Sequence, residues 1–222
     1  MGGTAGASAR REHERRQAKR ENSIRAAHPR LGGVILALTD DPQSTRAWKR
    51  GAVGEEKLGR QLDGLASATC AVLHDRRIPR SRANIDHLVV CPTGILVIDA
   101  KRYQGRPSRR VEGGLFCART ERLFVGRQDR TTLVDGVLKQ ADVVRGRLSA
   151  DLELADLAEV PVRGALGFVD ADWPLIGGAF TVRGVMVAWP KKLADAITAP
   201  GPLGPEAVAR LVESLSRQLP PA

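Results

Sequence analysis

The chain has 222 residues, with 35 Lys and Arg against 25 Asp and Glu, so its formal charge is +10 at pH 7. Hydrophobic residues make up 42%, which permits a real core and argues against a wholly disordered chain. Unbroken apolar runs such as Val34 to Leu38 and Ile95 to Ile98 fall far short of the ~20 residues that a bilayer span needs.

No apolar stretch of a secretory signal opens the sequence, and three cysteines (Cys70, Cys91, Cys117) form no CxxC pair. A disulfide scaffold and a zinc ribbon are therefore not expected, and a reducing cytoplasm is the expected compartment.

In chain order, residues 1–9 are small and read as a mobile lead-in. Residues 10–25 are almost wholly polar and read as a solvated helix without an apolar face, either a solubilising tail or a basic arm, ended by His28-Pro29. Gly33 to Leu38 is a short apolar piece, and Asp40 to Ser44 reads as a turn or linker. These residues make 1–46 a basic extension. The domain proper is expected over 47–222, with a motif-bearing core at 47–150 and C-terminal strands and helices at 160–219.

Within that domain, 47–65 reads as a helix on Val53, Leu58, Leu62 and Leu65. Strands are predicted at 70–76, 85–91, 94–101, 109–117 and 121–126. A long helix follows at 131–149, striped by Leu133, Val134, Val137, Leu138, Ala141, Val144 and Leu148. Strands at 162–169 and 180–188 and helices at 191–197 and 205–219 close the chain, with Pro205 in the first turn of the last helix. The order predicts an α/β fold, a mixed β-sheet flanked by helices with antiparallel hairpins at its centre.

The charge is unevenly distributed. Residues 76–130 carry 13 basic and 5 acidic groups, whereas 51–75 and 131–222 are each slightly acidic. That basic segment surrounds Asn84-Ile85-Asp86-His87 and Ile98-Asp99-Ala100-Lys101, an apolar hairpin with an acid near each outer end. Asp99 and Lys101 lie two apart on one strand face. A two-residue loop at Pro92-Thr93 would set Asp86 directly across from Asp99. Proline cannot take the positive φ of a type I′ turn, which favours a type I turn with a glycine bulge at Gly94. That register sets Asp86 opposite Ala100 and needs a further bulge, or an Asp86 lying past the regular ladder. Paired carboxylates repel unless a cation sits between them, and such oxygen-rich clusters suit Mg²⁺ or Mn²⁺.

Two more polar residues fall on apolar stripes. Glu55 lies three before Leu58 and seven before Leu62, so it faces inward, while Glu56 faces solvent. Gln140 sits between Val137 and Val144. His87 is expected to pack on the face opposite Asp86, and His74 to be structural. HExxH, GxxxxGK[ST] and GxSxG are missing from the sequence.

Gly51-x-x-Gly54-Glu55, Asn84-Ile85-Asp86-His87, Val97-Ile98-Asp99-Ala100-Lys101 and Gln140 together resemble the nuclease-related domain, a family of the PD-(D/E)XK nuclease superfamily. The resemblance spans roughly 47–150, and His74-Asp75 and Ile78-Pro79 also fit it. It implies a restriction-endonuclease-like core and a deoxyribonuclease dependent on Mg²⁺ or Mn²⁺, acting in repair, processing or defence. Asp86, Asp99, the Ala100 carbonyl and Glu55 would hold the metal. Lys101 would orient or deprotonate the attacking water and stabilise the transition state, and Gln140 would position water or phosphate. Asp in place of Glu at 99 is the one departure. Arg76, Arg77, Arg80, Arg82, Arg102, Arg106, Arg109 and Arg110 could contact backbone phosphates. The expected partner is nucleic acid, DNA ahead of RNA, and a homodimer is compatible with the fold. Tyr103 either touches substrate or packs at the strand end. The alternative function is an inactive nucleic-acid-binding or protein-interaction module that keeps the fold.

Overall fold

The strand signals become a six-stranded mixed sheet in the computed structural model, which describes residues 3–27, 43–81, 83–114, 117–174 and 178–222. The expectations about His28-Pro29, Gly33 to Leu38, Asp40 to Pro42 and Arg82 lie outside those residues, and Gln43 and Ser44, expected in a turn or linker, open a helix instead. The helices are α1 (Ala7–Ala27), α2 (Gln43–Asp63), α3 (Thr131–Ser149), α4 (Pro190–Ile197) and α5 (Pro205–Gln218). The strands are β1 (Ala71–Arg77), β2 (Asn84–Cys91), β3 (Gly94–Lys101), β4 (Pro107–Gly114), β5 (Cys117–Val125), β6 (Gln128–Asp129), β7 (Val162–Phe168), β8 (Phe180–Val182) and β9 (Val185–Ala188).

The main sheet runs β1-β2-β3-β7-β9-β8. The antiparallel meander β1-β2-β3 forms one flank rather than the centre. The centre is the parallel pair β3–β7, followed by parallel β7–β9. Parallel neighbours need a long crossover, and α3 lies on the one between β3 and β7. β4, β5 and β6 leave the main sheet and form a second, three-stranded one. The strand expected at 180–188 is two strands, because Arg183 and Gly184 both take positive φ, +50° and +82°, as a type I′ hairpin turn requires.

Helices cover both faces of the main sheet. On one, Ala141, Val144 and Leu148 of α3 and Val208, Leu211 and Leu215 of α5 pack against Leu73, Leu88, Val90, Ile95 and Val97. On the other, Leu58 and Leu62 of α2 and Leu193 and Ile197 of α4 meet Val89, Leu96, Ile98 and Ala100. β3 is buried from Gly94 to Ala100, which is why its apolar run is continuous and does not alternate. Residues Pro220 to Ala222 lie along the outer edge of β1, with Arg77 N donating to Pro220 O at 2.8 Å and Ala222 N to Asp75 O at 2.9 Å. That contact covers an edge that would otherwise offer unpaired backbone groups.

The N-terminal segment packs on this body. Ser8 donates through its backbone N and its Oγ to the two carboxylate oxygens of Asp75, both at 2.7 Å. Arg10 pairs with Glu56 at 2.6 Å, so Glu56 has a partner on α1 instead of facing solvent alone. Ala9 is buried.

Candidate active site

β3 and β7 run parallel side by side, and ligand sites in such sheets gather beyond the carboxyl ends of the strands. A pocket of about 620 Å³ opens there, lined by Ala9, Gly51, Glu55, Ala100, Lys101, Arg102, Tyr103, Gln104, Arg130 and Asp170. Strand alternation puts Asp99 and Lys101 on one face, and Lys101 Nζ donates to Asp99 Oδ1 at 2.5 Å.

The hairpin register settles where Asp86 lies. Pairing runs from Cys91↔Gly94 to His87↔Ile98 without a shift, so the loop is Pro92-Thr93 alone. Gly94 takes the positive φ, +121°, which relieves Pro92 of it. The expected displacement to Ala100 therefore does not occur. Asp86 lies one step past the last paired residues, on the Asp99 side. Its Oδ2 accepts a hydrogen bond from Ala100 N at 3.0 Å. The alternation of β2 also slips here. Ile85 joins Leu88 and Val90 in one core cluster, where strict alternation would put it on the other face. Asp75 on the neighbouring strand has φ +49°. The Asp86 carboxylate thus lies at the Ala100 end of β3, close to Asp99 and Glu55.

Glu55 reaches the pocket from α2. A side chain at Gly54 would come within 3.1 Å of Arg102 Cβ, so glycine there lets α2 approach the end of β3. Burial pushes the Glu55 carboxyl up to about 7, against the pull of Lys101, with Asp75 and Asp99 adding to the rise. Burial also raises the Asp86 carboxyl well above the usual range, helped by Asp99 and Glu55. Burial opposes the charge on Lys101, yet Asp99 and Asp86 hold its ammonium above the ordinary lysine value. The lysine is thus the counterion of a crowded carboxylate cluster. Among the described residues, no three His, Cys, Asp or Glu side chains stand as a ready-made metal cage.

Glu55 carries a testable consequence. A carboxyl raised in the folded state favours folding below its unfolded value and loses that contribution as pH rises through the folded value. In EDTA, the melting temperature of the wild type should therefore fall relative to Glu55→Gln between about pH 5 and pH 8. Parallel melting profiles for the two proteins would contradict a desolvated Glu55.

Gln140, like Asp86 and Asp99, is not among the residues that line the pocket. Its Nε2 donates to Asn84 O at 3.1 Å, so it braces the start of the strand that carries Asp86. His87 is fully buried, shares a 2.8 Å hydrogen bond with His74 through the two Nδ1 atoms, and is pushed down to about 3 by burial and by His74. His74 Nε2 reaches Asp63 at 2.8 Å. Both histidines pack as expected.

The arginines divide. Arg102 lines the pocket and pairs with Asp170 at 2.8 Å. Arg77, Arg80, Arg106, Arg109 and Arg110 are at least partly exposed. Arg76 is a correction: it is fully buried, and its guanidinium donates to Leu219 O and Ser216 O at the end of α5. It is out of reach of a phosphate.

Several pocket residues were not anticipated. Arg130 sits at the N-terminus of α3 with its guanidinium 5.0 Å over the Tyr103 ring, and Tyr103 leans on Phe168 at 6.1 Å. Asp170 accepts both Lys57 and Arg102. Their shared signal is position just beyond strand ends or before a helix, and it emerges only once β3 and β7 are known to be parallel neighbours.

The fold and the pocket define a mixed α/β domain with a carboxylate and lysine site at its strand ends. A family model for the nuclease-related domain matches residues 50–169, more than half of the chain and all of the acidic cluster. The chain belongs to the nuclease-related domain family. Comparisons with curated proteins and with solved structures yield no match. Among the described residues, no helix is long and apolar enough to cross a membrane.

Proposed function

We propose that this protein hydrolyses phosphodiester bonds of DNA with the help of Mg²⁺ or Mn²⁺. The observation that carries the reading is that Glu55 and Lys101 line one pocket, with Asp99 bonded to Lys101 and Asp86 bonded to Ala100 N directly behind them. Two of those carboxyls, Glu55 and Asp86, are driven up by burial and by neighbouring carboxylates, Asp99 among them in both cases. A hard divalent cation relieves that kind of crowding, so the donor set fits one. Glu55, Asp86, Asp99 and the carbonyl of Ala100 would hold the ion. When bound, it supplies Lewis-acid stabilisation and lowers the pKa of water.

The chain's own groups do the rest. Lys101 stays charged beside Asp99, so it serves to orient water and to stabilise negative charge developing on phosphoryl oxygens, and not as a general base. Arg102 and Arg130 on the pocket wall would hold the flanking anionic backbone. Gln140, by fixing Asn84 O, keeps Asp86 in place.

A second reading, an inactive binding module, draws on the lack of a preformed cage among the described residues and on the Lys101–Asp99 pair. Incubation with labelled duplex DNA, single-stranded DNA and RNA in Mg²⁺ or Mn²⁺ separates the two. Cleavage of DNA that EDTA arrests supports the nuclease. Salt-sensitive binding without cleavage of any substrate supports the module.

A further inference from the structure

β4 and β5 form an antiparallel ribbon that leaves the main sheet beside the pocket. It starts at Pro107, just after the pocket residues Tyr103 and Gln104, and the chain returns through β6 to Arg130, again in the pocket wall. Its base is anchored, since Leu123 and Val125 of β5 are buried with Phe168 and Val187. Beyond the base it is bare: β4 is exposed from Arg109 to Gly114, as are Ala118 to Thr120 on β5. Successive strand residues point to opposite faces, so both faces of the outer ribbon meet solvent. A two-stranded hairpin without a covering layer is marginal on its own, and its exposure calls for a partner.

The charge on this ribbon identifies the partner. Residues 106–130 hold seven arginines and three acids. Arg109 is paired with Glu121, and Arg122 with Glu112 and Asp129. Arg106, Arg110, Arg119 and Arg127 have no carboxylate partner among the described residues. Arg110 lies directly opposite Arg122 across the two strands, but the acids there are taken up by Arg122. Arg110 stacks instead on Phe124, its guanidinium carbon 3.8 Å from the ring centroid. Arginines without a carboxylate partner on a solvent-exposed ribbon suit a polyanion that lies along it.

We propose that the β4–β5 ribbon is the duplex-binding element of this protein and enters the major groove of B-form DNA, delivering the adjoining backbone to the pocket. The proposal rests on the nuclease reading for the pocket beside it. Eight residues of strand reach about 27 Å. A B-form major groove about 12 Å wide admits a two-stranded ribbon. The major groove of A-form RNA is too deep and narrow for side chains to read. The geometry therefore selects duplex DNA over duplex RNA.

The test measures binding of the full chain in EDTA, where cleavage is suppressed, by fluorescence anisotropy. The probes are a 30-base-pair DNA duplex, the same duplex in RNA, and single-stranded DNA, each over a range of salt. Arg110→Ala combined with Arg119→Ala should weaken binding of the DNA duplex about tenfold or more and reduce its salt slope by about 2. Single-stranded DNA should be much less affected. Arg110→Lys combined with Arg119→Lys should keep most of the duplex affinity, which separates loss of charge from loss of fold. Unchanged duplex binding by the alanine pair, or RNA duplex bound as tightly as DNA, would overturn the proposal. Ribbon-dependent DNA binding by a wild type that never cleaves in Mg²⁺ would leave the ribbon standing and remove the nuclease reading.

Discussion

Asp99→Asn is expected to slow Mg²⁺-dependent cleavage by about 10³-fold or more, the scale on which loss of a metal-assisted or charge-stabilising group acts. Asp99 has two tasks behind the pocket wall. It lies on the face that also presents Lys101, and it holds the lysine Nζ at 2.5 Å. It also faces the Asp86 carboxyl, whose raised value comes from burial first and from Asp99 next. The amide is nearly isosteric, so it keeps the shape while removing a charge from both partners. Lys101→Ala should reach a similar loss by a different route, since the developing negative charge would lose its cation while the acids remain. The two variants should differ in metal dependence: excess Mn²⁺ should partly restore Lys101→Ala and not Asp99→Asn. Single-turnover rates on a labelled duplex, with melting curves to show that each variant folds, make the comparison. Cleavage by both variants at the wild-type rate would remove these residues from the chemistry.

The second large effect concerns stability. Arg76→Ala is expected to cost about 3 kcal/mol or more, the range for losing charge-assisted hydrogen bonds inside a protein. Arg76 is fully buried, and its Nε and one terminal nitrogen donate to Leu219 O at 2.5 Å and Ser216 O at 3.0 Å. Those carbonyls sit at the C-terminal end of α5, where unsatisfied acceptors and the helix dipole both favour a cation. Removal strands two acceptors in the core and leaves a void where a long side chain lay. It also loosens the tail of residues 220–222 that covers the edge of β1. Arg76→Lys should recover part of the loss, because one ammonium can satisfy one end of the pair. Urea denaturation measures it, and a loss below about 1 kcal/mol would show that the guanidinium is not holding the helix end.

How far the sequence carries can be argued from these residues. α3 was legible to the residue, because Val134, Val137, Ala141, Val144 and Leu148 keep one stripe and all are buried. The acids were legible because a charged residue on an apolar stripe or at the end of an apolar strand needs a reason, and Glu55 and Asp99 are both such residues. The pairing of β3 with β7 was not legible. Parallel partners 67 residues apart leave no local signal of the kind a hairpin leaves, so the pocket residues Arg130 and Asp170 had nothing to mark them. Arg76 was misplaced because an interior arginine and a surface arginine look alike in a basic segment, and only the carbonyls of α5 tell them apart. The docking of residues 3–9 was invisible for a similar reason. It depends on small side chains and on the Ser8 to Asp75 hydrogen bonds, with no apolar periodicity to announce it.

The central claim is that Glu55, Asp86, Asp99 and Lys101 form a divalent-cation site, and calorimetric titration of the EDTA-treated, desalted full chain with Mn²⁺ at pH 8 tests it most directly. The account predicts saturable binding by the wild type, lost in Asp86→Asn and in Asp99→Asn. It also predicts that Mn²⁺ raises the melting temperature of the wild type and of neither variant. Absence of binding to the wild type, or binding that both variants retain in full, would contradict it.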